Sequence, residues 1–287
     1  MTSCSALTKP LPDLRAQWRL PSGALLQPQD VCTLARPQLA RGHYARDFRF
    51  FEATLLVVTC GALVVENATG RWAVEDAGSL LAVAKNTQVN VQKTLADDGA
   101  PYTAQFLTFA PALLTEFHQR YGHVLTPAST VEVCRQISLD EGLNDSLQFC
   151  IRGIESPDVS GLQRTHRALG LLLALQERGI IYSRPSAPGL AERLTHLLAK
   201  SPEQPWTAAL AGRELAVSEA TLRRRLADEG VSFSTLLTEI RMHHAMMLLQ
   251  TTHLGVSQIA DACGYRALSR FSMRFRSRFG FSVQDIR

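Results

Sequence analysis

At Pro111 the chain changes period, and that switch limits what it can fold into. Residues 48–109 are cut into short Val/Leu-rich runs, "TLLVVTC", "ALVVEN", "RWAVED", "SLLAVAK", "TQVNVQ" and "YTAQFLTF", separated by "NATG", "DAGS" and "DDGAP". Short apolar runs bounded by turn residues read as strands, and several at close spacing predict a small barrel or sandwich. From Pro111 onward apolar residues recur at helical spacing, in "PALLTEFHQRYG", "LDEGLNDSLQFCIRGIES" and "SGLQRTHRALGLLLALQERG", the last with Ser160 as N-cap. The fold class is therefore α+β. "SRPSAPG", residues 183–189, holds two prolines, two serines and a glycine, which marks a linker between a domain at 1–182 and one at 190–287.

A chain of 287 residues is long enough to bury two cores, and 46% hydrophobic with 20% charged residues excludes a disordered or fibrous protein. Six cysteines show neither a C-x-x-C pair nor zinc-finger spacing, so reduced thiols in a cytoplasmic setting are expected. The densest apolar segments fall short of a bilayer span, and the N-terminal twenty residues lack a basic start with an apolar run; neither membrane insertion nor export is expected.

Charge is unevenly placed. Residues 189–287 hold 13 basic and 9 acidic residues, whereas 1–188 hold 17 of each, and residues 263–287 alone carry six arginines against Asp285. A local positive field of this kind favours a polyanionic partner, either nucleic acid or an acidic membrane surface.

The C-terminal third divides into closely punctuated helices: 190–200, then 208–215 capped by Thr207, then 219–228 capped by Ser218 and closed by Gly230. A long helix over 234–251 follows, then a short one capped by Ser257 and ending near Cys263, then an arginine-rich one over 267–279. These are two helix-turn-helix units in tandem. At 100° per residue the last helix buries Leu268, Phe271, Phe275 and Phe279, leaving Ser269, Arg270, Met273 and Ser277 outward with Arg266, Arg274, Arg276 and Arg278 at the margins. The upstream helix repeats the arrangement, with Leu222 and Leu226 inward, Ala220, Thr221 and Arg224 outward, and Arg223 and Arg225 flanking. Outward centres suit base edges and arginine margins suit phosphates. The intervening helix would be roughly 27 Å long, close to the roughly 34 Å between successive major grooves on one DNA face.

From Trp206 to Arg287 the sequence resembles the AraC/XylS transcriptional regulators, in the "G-x-S-F" after the first recognition helix, the "R-M…A…LL" of the central helix, the "I-A…G-Y" and the "F…F…F-G…R" ending. The resemblance implies a seven-helix double helix-turn-helix domain, base readout by Ala220, Arg223 and Arg224 and by Ser269, Arg270 and Met273, and a regulator, in this family usually an activator, acting on double-stranded DNA with RNA polymerase as further partner. Ala267 stands where many members have Ser, Val283 where most have Pro and Ile286 where Tyr is usual. Before Trp206 the similarity is looser, to the cupin-like barrel and helical dimerisation segment of the same family, which implies a homodimer and a small-molecule effector in the barrel.

Candidate effector contacts are His43, Tyr44, Arg49 and Lys85, each also read as an exposed loop residue. The strand segments lack the His/carboxylate cluster of metal cupins, and no Gly-rich phosphate loop, G-x-S-x-G or H-E-x-x-H occurs, so neither cofactor, metal nor enzymatic activity is expected. Two alternatives stay open at this point: a membrane-surface or protein-interaction module using the basic amphipathic helix, and a cupin-type enzyme with an appended DNA-binding domain.

Overall fold

A computed structural model describes residues 31–124 and 130–286. Ten strands form two antiparallel sheets: β1 (Cys32–Ala35), β2 (Gln38–Leu39), β3 (His43–Phe50), β4 (Thr54–Cys60), β5 (Ala62–Asn67), β6 (Gly70–Val74), β7 (Ser79–Val83), β8 (Thr87–Thr94), β9 (Tyr102–Phe109) and β10 (Cys134–Ser138). The larger sheet runs β1-β9-β4-β7-β10 with β2 also on β9, and the smaller runs β3-β8-β5-β6. The larger sheet is buried on both faces, which is why "TLLVVTC" reads as a continuous apolar run instead of an alternation. Leu56, Val58, Leu81 and Phe106 point inward against Val65, Val89 and Val91 of the smaller sheet. Leu55, Val57, Leu80 and Leu107 point outward beneath helices α1 (Pro111–Tyr121), α2 (Glu141–Glu155) and α3 (Gly161–Glu177).

All six expected strands are present, and the aliphatic stripe of α3 (Leu169, Leu171, Leu172, Leu175) is intradomain core. Ser160 caps α3 in a reciprocal capping box with Gln163. Four strands lie outside those six runs, among them the short β1 and β2 ahead of residue 48. β3 starts at His43, ahead of residue 48, because a bulge between Ala45 and Phe48, with Asp47 at φ +52°, breaks the period-two alternation that would advertise it. β10 lies between two of the helical segments expected after Pro111; it is a half-exposed edge strand on β7 with too few apolar residues to register.

Beyond residue 189 the chain is helical: α4 (Leu190–Lys200), α5 (Ala208–Glu214), α6 (Glu219–Asp228), α7 (Phe233–Thr251), α8 (Val256–Ala262), α9 (Leu268–Phe279) and a terminal 3-10 turn at Val283–Asp285. Thr207 and Ser218 cap α5 and α6 as expected, each accepting a backbone N–H three residues on. The cap of α8 is Gly255, not Ser257, with the Gln258 side chain accepting the Gly255 N–H at 2.9 Å. Gly212 lies in the tight approach of the α5–α6 turn, where an added Cβ would meet the Val217 carbonyl at 2.8 Å. Gly280, at φ +85°, supplies the left-handed residue that stops α9.

The core of this half is centred on α7, buried around nearly its whole circumference. Phe271, Phe275 and Phe279 of α9 are at most 1% exposed and stack in series, Phe275 and Phe279 with ring centroids 4.9 Å apart. Leu268 departs from the expected stripe. It is 46% exposed, because it opens the first turn beyond the reach of the core while Tyr265 covers Phe271 at 5.7 Å.

One cation is buried within the barrel. Lys93 is 4% exposed; its Nζ donates to Gln250 Oε1 of α7 at 2.7 Å and lies 5.0 Å and 5.5 Å from the ring centroids of Phe106 and Tyr102. Burial pushes the ammonium down from 10.5 to about 7. The unfolded chain holds this proton up to about pH 10.5 and the folded chain releases it near 7, so the unfolded state is the more protonated between those limits and stability rises with pH.

Two stability outcomes follow from this packing. Between pH 7 and 8.5, urea unfolding of wild type should gain about 1 kcal/mol per pH unit relative to Lys93→Met, approaching the ceiling of about 1.4 set by one proton per molecule; parallel pH profiles would contradict the burial of an unpaired ammonium. Phe275→Ala should cost about 3–5 kcal/mol in the same measurement, as for other fully buried phenylalanines.

Candidate nucleic-acid interface

Two helices carry the expected contact residues. On α6, Leu222 and Leu226 are buried and Ala220, Arg223, Arg224 and Arg225 are exposed. Arg223 is held by Glu219 one turn back, with Nη2 to Oε1 at 2.8 Å, so its approach to a base edge competes with an intrahelical pair. Thr221 is half-buried and belongs to the cap: its N–H donates to Ser218 Oγ at 3.1 Å and its hydroxyl is bonded to the same oxygen at 2.9 Å. Arg224 has no such restraint.

On α9 the outward side comprises Ser269, Arg270, Met273, Arg274 and Arg276, all exposed, with Arg266 exposed just before the helix. Among the described residues none of Arg224, Arg266, Arg270, Arg274 and Arg276 is salt-bridged to a carboxylate. Met273, 61% exposed at the centre of that surface, offers the apolar contact that a thymine methyl accepts. A run of guanidinium groups without acidic partners is an arrangement with an uncompensated positive potential, suited to phosphate and to guanine edges.

The two units join through a shared scaffold, though not symmetrically. The α8–α9 unit packs directly on α7, whereas α6 packs on α4 and α4 on α7. The first unit thus reaches the rod through α4, a refinement of the expected two units fixed directly to its ends.

Arg278 departs from the solvent-side arginines that the helical wheel predicts. Its side chain is 13% exposed; Nη1 and Nη2 donate to the carbonyls of Arg46 and Asp47 at 3.1 Å and 2.7 Å, and Nε lies 2.6 Å from Glu239 Oε1. The carbonyls are available because the β3 bulge turns them out of the sheet ladder. α9 packs on β3, and the last turn of the arginine-rich helix is therefore gripped by the barrel. Burial opposes ionisation of Glu239, yet its bonds to His243 and Arg278 outweigh this and hold the carboxyl below its usual range. His243, 1% exposed amid the rings of Phe48, Phe51 and Phe279, is shifted down by burial, partly offset by Glu239.

The four candidate effector residues are not brought to one place. Tyr44 is exposed on β3 and bonded to Glu66 at 3.2 Å. Arg49 is half-buried over the Phe51 ring, and Lys85 pairs with Glu192 of α4 at 2.5 Å. His43 alone reaches the barrel interior, where its Nε2 lies 3.4 Å from Gln250 Nε2 and burial, then the Lys93 charge, lower it to about 3. The loop reading also fails for His43, Tyr44 and Arg49, which are strand residues of β3. The polar interior that sequence reasoning missed consists of Lys93, Tyr102 and Gln250 around His43; the Tyr102 hydroxyl and His43 Nδ1 are buried without hydrogen-bond partners. The signal was present, since Thr87, Val89, Val91 and Lys93 alternate on one face of β8 and put a lysine in an inward register. The space beside them is only about 10 Å³, so the interior is closed.

No helix among the described residues is long and apolar enough to cross a membrane. A family model for a helix-turn-helix domain matches residues 211–287. The HTH-type transcriptional regulator GadX of Escherichia coli is 25% identical over 218 residues, 72% of this chain and 76% of that protein. The urease operon transcriptional activator of Escherichia coli is 31% identical over 209 residues, 68% of this chain and 60% of that protein. Among solved structures, apo ToxT of Vibrio cholerae superposes with a TM-score of 0.62 at 15% identity, covering 90% of this chain and 98% of its own, a likeness of fold across both halves. With two helix-turn-helix units packed on one central helix and transcription regulators as its relatives, the C-terminal part of the chain is an AraC-type helix-turn-helix DNA-binding domain.

Proposed function

We propose that the protein is a cytoplasmic, non-enzymatic transcription activator that inserts α6 and α9 into successive major grooves. Ala220, Arg223 and Arg224 read one half-site and Ser269, Arg270 and Met273 the other, while Arg266, Arg274 and Arg276 hold phosphates and Thr221 fixes the first turn of α6. The observation that carries this reading is the set of exposed arginines without acidic partners on both helices. The 19 residues of α7 extend about 28 Å, a span that suits adjacent grooves. In this reading residues 1–182 form the effector and dimerisation domain, 183–189 the linker and 190–287 the DNA-binding domain, with RNA polymerase and a second copy of the chain as protein partners. The exposed Phe149 and Leu162 of α2 and α3 support a homodimer face there.

The effector, on this proposal, is an apolar carboxylate whose head group meets Lys93. Support comes from the buried ammonium, paired with an amide instead of an acid, beside the unpartnered Tyr102 hydroxyl. ToxT, which shares the fold, has been crystallised with an unsaturated fatty acid. The closed interior would open at the seam to admit the chain, since Gln250 belongs to α7 and the other polar groups to the barrel.

Selection of bound sites from random duplexes, followed by affinity measurements over a salt series, tests the interface. Arg270→Ala should lose about 1–3 kcal/mol and relax preference at particular base pairs, whereas Arg276→Ala should weaken all duplexes alike and lower the salt slope by about 1. Small, equal effects from both variants would contradict the assigned readout. An unsaturated fatty acid should shift the duplex affinity of wild type and leave Lys93→Met unmoved; an equal shift in both would remove Lys93 from the effector site.

A further inference from the structure

We propose that Glu52, Glu192 and His196 form a site for a divalent transition metal of the zinc type, bridging the barrel and the DNA-binding domain. Glu192 and His196 lie one turn apart on α4 and so share a face. Both line a cleft of about 520 Å³ beneath linker residues 185–188, which gives an ion access from solvent. Glu52, between β3 and β4, is 2% exposed, and His196 Nε2 is 2.8 Å from its Oε1. One ligand atom from each of the three residues falls within 4.8 Å of the others.

Four-coordinate zinc, with bonds of roughly 2.0–2.2 Å, holds its donors roughly 3.4 Å apart. The widest pair therefore closes by at most about 1.4 Å, within the range of a Glu192 side-chain rotation, while His196 and Glu52, now 2.8 Å apart, open by about 0.6 Å to admit the ion. An imidazole nitrogen with two carboxylates suits zinc better than calcium or magnesium, which take oxygen donors only. The charges also balance: the dication neutralises Glu52 and Glu192, His196 coordinates as neutral imidazole, and the Lys85 ammonium, now 2.5 Å from Glu192 Oε1, is released toward the cleft. Lys85 is the built-in competitor of the metal. With two ligands on α4 and one on the barrel, the ion would pin α4, and through it α6, to the barrel.

The test uses the full chain, stripped of metal and titrated with Zn²⁺ against a chromogenic chelator. One equivalent should bind. Glu192→Gln and His196→Gln should each weaken binding at least tenfold, the latter keeping a hydrogen-bond donor toward Glu52 so that the fold persists. Lys85→Ala should tighten binding severalfold by freeing Glu192. Zn²⁺ should also slow proteolysis within residues 183–189 of wild type and leave the rate in His196→Gln unchanged. Absence of stoichiometric uptake, or equal affinity in wild type and His196→Gln, would overturn the site.

Discussion

The burial of α7 on nearly all sides is the constraint on which the rest depends. A helix with apolar residues around its circumference is stable only when other elements enclose it. Here α4, α8 and α9 pack on α7 and β2 reaches its far end, so neither half of the protein can complete its core without it. The apolar cluster is accordingly continuous: barrel residues such as Phe48, Phe50 and Tyr102 belong to the same buried body as Ile240, Met246 and Phe275. The linker separates the halves in sequence without separating them in packing.

That shared core explains where the polar seam falls. Lys93 to Gln250, Glu52 to His196, Lys85 to Glu192 and Arg278 to the bulged β3 carbonyls all cross from barrel to helical domain. A buried polar contact contributes little net stability when satisfied and costs far more when broken, so these pairs specify one relative placement of the halves more than they strengthen it. Lys93 is the extreme case, because its partner is a neutral amide and its ammonium is poorly compensated.

Much of the architecture was legible in sequence because it rests on local rules. Ser160, Thr207 and Ser218 cap helices where their spacing says they should, and the Phe271/Phe275/Phe279 stripe is buried. What escaped was decided by tertiary partners. The β3 bulge destroys the alternation that would have disclosed the strand, and Leu268 fits the wheel but has nothing to pack against. Glu52 and His196 are 144 residues apart, and nothing in their spacing announces contact, although Glu192 and His196 at i and i+4 were a visible half of the cluster. The helix expected over 267–279 begins instead at Leu268, because Ala267 is extended and offers no side-chain acceptor to cap it.

Arg274 and Arg278 are one turn apart on the same helix and do opposite things, which ties the recognition surface to the barrel. Arg274 is exposed; Arg278 is held by two backbone carbonyls and Glu239. A guanidinium removed from water needs those acceptors where they are, because losing them leaves a largely buried charge uncompensated. Displacement of the Arg46 and Asp47 carbonyls would therefore oblige either Arg278 to leave its pocket or α9 to follow. The first choice opens the seam beside His243 and Phe279, and the second turns Arg270 and Met273 relative to α6. In the second case a change inside the barrel would reach the outward side of α9 through a single turn of helix.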